Sequence, residues 1–537
     1  MKQVSQSAHV DTFTRENLPP RPQWPEFLFT LPELTYPSTL NCAAELLDRH
    51  AESGHGARRC ILTDTEEWTY TDLLTRSNQV AHALVDELGL VPGNRVLLRG
   101  PNNPWLLASW FGVIKAGGVA VTTMPLLRQR ELQTMIEIAD VRLAICDHRF
   151  VTDLDAASPS GFQTMVYGGS DHADLTGVAA NKNPRFENVA TAADDVCLLA
   201  FTSGTTGRPK ATMHFHRDVL AIADTFSRHL LRPAQTDIFA ASPPLAFTFG
   251  LGQSVVFPMR AGSCVYLLEQ PSPKRLLEAI ERHRITVLAT APTAYRAMLP
   301  DLAAADITSL RACVSAGETL PKATWEAVHD ACGLRIIDGI GSTEMLHIFI
   351  SSAGADIQPG STGRAIPGYV AEVQDPDGRP VRDGELGRLA VKGPTGCRYL
   401  RGDRQTTYVQ NAWNITGDVY VRDGEGYFHY QARADDMIIS AGYNIAGPEV
   451  EEALLRHPSV AETAVIGVPD EERGMVVKAV VVLQAGADLG PEPAKTLQEF
   501  VKSQIAPYKY PRVVEFADAL PRTATGKLQR FRLREGG

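Results

Sequence analysis

The sequence predicts an α/β protein built on parallel sheet with crossover helices, followed by a small α+β unit. Three observations carry this. From Cys42 onward amphipathic helical patterns alternate with short β-rich runs, as in 69–88 followed by 95–100 and 131–140 followed by 141–146. Between about Asp375 and Gly387 the texture changes to Gly-, Asp- and Pro-rich turns between short strands, the pattern of an antiparallel or barrel-like subdomain. Beyond Arg433, Pro448 stands at the first position of a helix over 449–457, and the runs 461–468 and 476–483 flank a polar turn.

In chain order, residues 1–40 are Pro-rich and irregular and read as an extended arm on the body. A large N-terminal domain then runs to residue 433, and residues 434–537 form the C-terminal domain. The 537 residues allow about three or four domain-sized units. At 44% hydrophobic and 21% charged the chain has a globular balance, and its net charge of −10 disfavours a nucleic-acid partner. A phosphate ligand would have to be attracted locally, by backbone amides, a few cations and a metal. Eight cysteines form no CxxC pair and read as reduced, mostly buried thiols. The N-terminus has no apolar signal region, and the most apolar stretch, Trp105 to Ile114, is half the ~20 residues that a membrane helix needs. A cytoplasmic protein without membrane association is expected.

The strongest local signal is Thr202-Ser203-Gly204-Thr205-Thr206-Gly207-Arg208-Pro209-Lys210, directly after the apolar run 196–201. Its glycines let backbone approach a ligand, its hydroxyls donate hydrogen bonds, and Lys210 adds charge, which together make a phosphate cradle. It is not a Walker A loop, because Lys210 is preceded by Pro and followed by Ala.

This loop resembles the signature of the adenylate-forming enzymes, which include acyl- and aryl-CoA synthetases, peptide-synthetase adenylation domains and luciferases. Further segments agree in order. Asp338-Gly339-Ile340-Gly341-Ser342-Thr343-Glu344 resembles the second nucleotide motif and Ile415-Thr-Gly-Asp418 the ribose motif. Arg433-Ala-Asp435-Asp436 resembles the hinge, and Pro521-Arg-Thr-Ala-Thr-Gly-Lys527 the C-terminal lysine loop. The resemblance implies an N-terminal part of two sheet-and-helix subdomains plus a β-barrel-like subdomain, and a small mobile C-terminal domain. It also implies ATP, Mg²⁺ and coenzyme A as cofactor and co-substrates. Thr343 would bond the α-phosphate, Glu344 hold Mg²⁺, and Lys527 bridge the carboxylate and the phosphate. Asp418 would accept from the ribose hydroxyls, with Tyr430 and Arg433 in the same nucleotide site. Ala316, Gly317 and Glu318 would line the adenine slot with backbone, or simply turn the chain at a strand end. Asp435 would be the pivot, and Gly442 and Tyr443 would line the pantetheine tunnel.

The chemistry is consistent with that resemblance. A carboxylate acylates poorly because its leaving group would be oxide, so ATP converts it to an acyl-AMP that then leaves AMP. Ile340 stands where many relatives carry an aromatic residue, and the stretch 338–347 is similar to the benzoate-CoA ligase branch. The arm segments 11–20 and 23–27 are similar to its 2-aminobenzoate-CoA ligase members. The acyl pocket is placed between Phe247, Thr248, Phe249 and Gly250 and a helix starting near Glu344, the glycines leaving room for a flat ring. On that helix His347 would share a face with Glu344. It is either a satisfied core histidine or the residue that meets the carboxylate or an ortho substituent. The leading expectation is thus an aryl-CoA ligase acting on benzoate or 2-aminobenzoate, as a monomer or homodimer. The alternative is an adenylation protein loading a carrier-protein thiol.

Overall fold

The computed structural model describes residues 6–169, 174–203, 209–402, 404–434, 436–440, 443–470, 473–522 and 528–535. Four sheets organise them. The first to be completed along the chain has six strands, ordered Gln163–Tyr167, Leu143–Asp147, Arg95–Arg99, Val119–Thr123, Val196–Ser203 and Pro209–Phe215. All neighbours in it are parallel except the last pair, a hairpin in which Thr202 lies opposite Lys210. The second sheet has nine strands. Its parallel centre runs from Ile336–Gly341 through Ala312–Ser315, Val287–Thr290, Ile238–Ala241 and Cys264–Tyr266 to Arg59–Leu62. Antiparallel strands close both of its edges.

The helices between these strands form where the sequence caps them. Helix Tyr70–Asp86 begins with a capping box: Thr69 accepts from the Asp72 amide, and the Asp72 carboxylate accepts from the Thr69 amide. Such a cap contributes about 1 kcal/mol. The apolar stretch that is too short for a membrane is helix Pro104–Lys115, with Asn103 as its cap and Pro104 in its first turn, buried almost throughout. Lys115 closes it inside the protein, where Nζ donates to both oxygens of Asp48 at 2.6 and 2.7 Å. Burial pushes that ammonium down and Asp48 opposes the shift. Among the described residues no helix is long and apolar enough to cross a membrane. One core joins both sheets, with Ile61, Leu98, Phe111 and Val265 in a single apolar cluster.

The turn-rich region forms a third, wholly antiparallel sheet of Val370–Gln374, Leu386–Lys392, Val409–Gln410, Trp413–Arg422 and Phe428–Arg433. The fourth sheet, built on the long hairpin Val460–Asp470 and Gly474–Leu483, packs on helices Gly447–Leu455 and Pro493–Gln504 around a separate core of residues such as Ile438, Val450, Val477 and Leu497. The architecture is α/β, with a large N-terminal part and a small α+β C-terminal one. All eight cysteines are free thiols, and all but Cys332 are fully buried. The arm lies against the body. The Ala8 amide donates to Asp195 at 3.0 Å, Asp11 pairs with Arg95, and the Glu26 and Leu28 amides donate to Ala412 and Gly393 carbonyls at 2.9 Å.

Candidate active site

The segment expected to cradle phosphate is flanked by the hairpin Val196–Ser203 and Pro209–Phe215. Gly204, Thr205, Thr206 and Gly207 lie outside the described residues, so the site is defined by what flanks them. Thr202 and Lys210 face each other across the ladder. The Lys210 ammonium is half-buried, 5.6 Å from the centre of the Tyr399 ring. Burial pushes it down, and nearby Glu344 opposes the shift. The Tyr399 hydroxyl donates to Glu344 Oε1 at 2.5 Å, and burial, reinforced by that carboxylate, pushes the phenol up. Lys210, Tyr399 and Glu344 therefore form one cluster. Nothing in the sequence around Tyr399 marks it as part of this cluster.

The segment that carries Thr343, Glu344 and His347 is not the expected helix. It is a tight turn between strands Ile336–Gly341 and Ile348–Ser351, which pair antiparallel with Gly341 opposite Ile348. The chain must reverse within six residues, so no helix fits. The turn instead closes with the Met345 and Leu346 amides donating to the Ser342 and Thr343 carbonyls at 3.2 Å, and Leu346 takes φ +69°. Gly341 is needed for this reversal, because a Cβ there would come 2.7 Å from the His347 carbonyl. Glu344 and His347 are both buried, while Thr343 stays half-exposed beside the hairpin.

His347 is enclosed by the rings of Phe226, Phe249 and Phe257 at 5.3, 5.7 and 4.6 Å. Neither ring nitrogen has a hydrogen-bond partner. Burial pushes the imidazole down to about 3, so it is neutral at physiological pH. A neutral imidazole can meet an ortho substituent or a carboxylic group by hydrogen bonding, without an ion pair. The space expected at the pocket glycines is also taken: a Cβ on Gly250 would meet the Pro244 carbonyl at 2.1 Å, and one on Gly252 the His347 ring at 2.4 Å. These glycines bring backbone and imidazole together instead of leaving a slot. Phe247, Thr248 and Phe249 remain half-exposed on the same wall. A residue not anticipated is Gln253, fully buried next to Gly252 with neither amide atom partnered. Its apolar flanks in the sequence hide it.

Asp338, expected in the nucleotide site, lines a cleft with Leu320, Trp325, Gln358, Gly360 and Thr362. Its Oδ1 has no partner, and burial pushes the carboxyl well up. Gly339 cannot carry a side chain, which would meet Ile348 at 2.8 Å, and Ile340 packs partly into the core. Ser315 ends its strand opposite Asp338, and Ala316 and Gly317 (φ +91°) follow. Glu318 adds a side-chain ion pair, with Arg522 at 3.0 Å, to the backbone role expected of this stretch. Asp418, buried, accepts from Arg433 Nη1 at 3.0 Å, and the two are cross-strand partners. Tyr430 lies on the same strand as Arg433, its phenol pushed up by burial and by Asp418.

Lys527, Asp435 and Gly442 lie outside the described residues. Tyr443 opens a short strand paired back onto Ser440. For a hard cation the donor available is Glu344, a buried carboxylate with one oxygen anchored by Tyr399, which suits Mg²⁺. The three-residue group Cys42, Cys197 and His216 is soft and wholly buried, and His216 Nδ1 already accepts the Cys42 amide at 3.1 Å.

Comparison with known proteins agrees with this geometry. The chain matches the AMP-binding enzyme family over residues 47–399 and the AMP-binding enzyme C-terminal domain over 449–527. It is 35% identical to a benzoate–CoA ligase of Thauera aromatica across 94% of this chain and 98% of that one. Among solved structures it superposes on the anthranilate CoA ligase AuaEII in complex with anthranoyl-AMP with a TM-score of 0.90, at 33% identity over 94% of this chain and 99% of that one. On a benzoate CoA ligase from Burkholderia xenovorans the TM-score is 0.85, at 33% identity over 92% and 100% of the two chains. With the matched region spanning the hairpin, the turn and the cleft alike, the chain belongs to the AMP-binding enzyme family.

Proposed function

We propose that this protein is an ATP-dependent aryl-CoA ligase, which converts an aromatic carboxylate to its acyl-AMP with release of pyrophosphate and then transfers the acyl group to coenzyme A. The observation that carries the reading is the joining of two chemistries in one six-residue reversal. Glu344 faces the Lys210 hairpin through Tyr399, and three residues later His347 lies among aromatic rings.

Lys210 and the hydroxyls of 202–206 hold phosphate oxygens, and Thr343 bonds the α-phosphate. Asp338 offers an unpaired oxygen to the base, with Ala316, Gly317, Glu318, Gly339 and Ile340 around it. Asp418, with Arg433 and Tyr430, takes the ribose hydroxyls. Glu344 would hold Mg²⁺, which when bound would supply charge against the polyphosphate. Lys527 brings a movable positive charge to the carboxylate and the phosphate. Two domains, 1–433 and 434–537, would rotate about Asp435 between the half-reactions and bring Gly442 and Tyr443 to the pantetheine path.

For the acid, Phe247, Phe249, Gly341 and Ile340 offer flat apolar contact, and neutral His347 and Gln253 offer buried polar atoms without partners. A substrate with a hydrogen-bonding ring substituent satisfies them, and 2-aminobenzoate does so where benzoate does not. The relative named for anthranilate supports that choice, and those named for benzoate support an aromatic acid more broadly. The protein would act in the cytoplasm. The test is pyrophosphate release with ATP, Mg²⁺ and a panel of acids, followed by AMP and thioester formation on adding coenzyme A. Aromatic acids are expected to lead, and preference for hexanoate or longer alkyl acids overturns the pocket.

A further inference from the structure

The chain that flanks residues 523–527 is tied to the nucleotide side by one arginine. Arg522 bridges antiparallel to Leu528, so the described residues on either side of that segment close on each other. The Arg522 guanidinium is shared between two carboxylates. Nη1 donates to Glu318 Oε1 at 3.0 Å, and Nη2 donates to Glu462 Oε2 at 2.8 Å. Glu462 belongs to strand Val460–Asp470 of the C-terminal sheet, whereas Glu318 lies 204 residues before Arg522, beyond strand Ala312–Ser315. A second N-terminal arginine meets the same edge: Arg296 Nη2 donates to the Val460 carbonyl at 3.1 Å. Charges thus alternate across the seam as Arg296, Glu462, Arg522 and Glu318. The Arg522 and Glu318 side chains are only 26% and 17% exposed, so their attraction is less screened than that of a surface pair.

We propose that the Arg522–Glu318 pair is a latch that holds the C-terminal domain in the orientation for adenylation and opens before thiol transfer. Ser315, three residues before Glu318, is in register with Asp338, so the latch grips the sheet at the cleft lined by Asp338. Arg522 is five residues from Lys527, and fastening it there favours presentation of that lysine to the nucleotide. The partners lie in different domains, so a rotation between half-reactions has to break the pair. Glu462 travels with Arg522 and keeps the guanidinium compensated when Glu318 is released, which lets the latch open without stranding a charge. Arg522 and Glu318 are positioning residues. The inference rests on the reading of the chain as a ligase with two half-reactions.

The test compares Arg522→Ala, Glu318→Gln and the double variant in separated steps: pyrophosphate release without coenzyme A, and thioester formation from synthetic benzoyl-AMP plus coenzyme A. Arg522→Ala is expected to lose about tenfold in the first step, about 1.4 kcal/mol of barrier, and nothing in the second, and Glu318→Gln to lose about tenfold in the first. The double variant should lose no more than the worse single one. Equal losses in both steps for Arg522→Ala, or multiplying losses in the double variant, overturn the latch. A second readout needs no turnover: amide hydrogen exchange over residues 315–320 should quicken in Arg522→Ala, and unchanged exchange also overturns it. If the wild-type enzyme released pyrophosphate with no acid, the ligase reading would fail, and the exchange measurement alone would decide the latch.

Discussion

Tyr399 holds Glu344: across 55 residues of sequence its hydroxyl donates to Oε1 at 2.5 Å, which leaves the other carboxylate oxygen for the cation proposed above. A hydrogen bond to a charged group contributes about 1.5–3 kcal/mol. Tyr399→Phe is expected to lower pyrophosphate release by roughly tenfold or more and to raise the Mg²⁺ concentration required, with the KM for the acid unchanged. Titrations of Mg²⁺ and acid on the variant check this. A change confined to the KM for the acid would assign Tyr399 to the acyl pocket instead.

Lys527→Ala should abolish acyl-AMP formation, by about a hundredfold or more, while ATP binding stays near normal. The reason is the proposed division of labour: Asp338, Asp418 and Lys210, assigned above to the nucleotide, all precede the proposed pivot at Asp435. Calorimetric ATP binding alongside a pyrophosphate assay separates the two effects, and near-normal pyrophosphate release would remove Lys527 from the reaction.

His347→Ala should cost 2-aminobenzoate more kcat/KM than benzoate, by about five- to tenfold, because only the amino compound satisfies a neutral imidazole. The imidazole, pushed down to about 3, should add no ionisation to the kcat/KM profile between pH 6 and 8. Equal losses on both acids would return His347 to a packing role.

Burial also holds His9 down to about 4 and His214 to about 3. A histidine whose folded value lies below its unfolded 6.5 binds fewer protons when folded. Its stabilising effect is therefore complete above pH 6.5 and is lost as the pH falls toward 3 to 4. Each such group contributes a slope of up to about 1.4 kcal/mol per pH unit. Asp338, pushed up, works in the opposite direction. Burial pushes His50 and His457 down as well, so five histidines stand against one carboxyl, and the urea midpoint is expected to fall steadily from pH 6.5 to 5; a flat midpoint over that range would contradict it.

What the sequence disclosed was local. The run 196–201 followed by Gly, Ser and Thr became a strand and hairpin, and the alternation of periods gave the parallel sheets, because both depend on neighbours within about twenty residues. The helix expected at Glu344 failed for the opposite reason. Pairing of Gly341 with Ile348 dictates a reversal there, and the helical pattern of 344–347 has no weight against a strand ladder. Tyr399 and Arg522 escaped because their partners lie 55 and 204 residues away, and a lone tyrosine or arginine carries no spacing to read. Gln253, flanked by apolar residues, reads as core until its unpartnered amide is seen.

The arm that docks Asp11 on Arg95 and Glu26 on Ala412 has a consequence for biosynthesis. These residues leave the ribosome before the groups that receive them, and the last receiver follows nearly four hundred residues later. During that interval the six-stranded sheet can form with residues 8–11 docked on it while residues 26–28 wait for their receivers, since domains fold as units from the N-terminal side. The second half of the arm is then the closing step, fastened once the antiparallel sheet exists. A nascent chain stalled before residue 393 should leave residues 26–28 open to protease while the six-stranded sheet, with Asp11 on Arg95, is already protected.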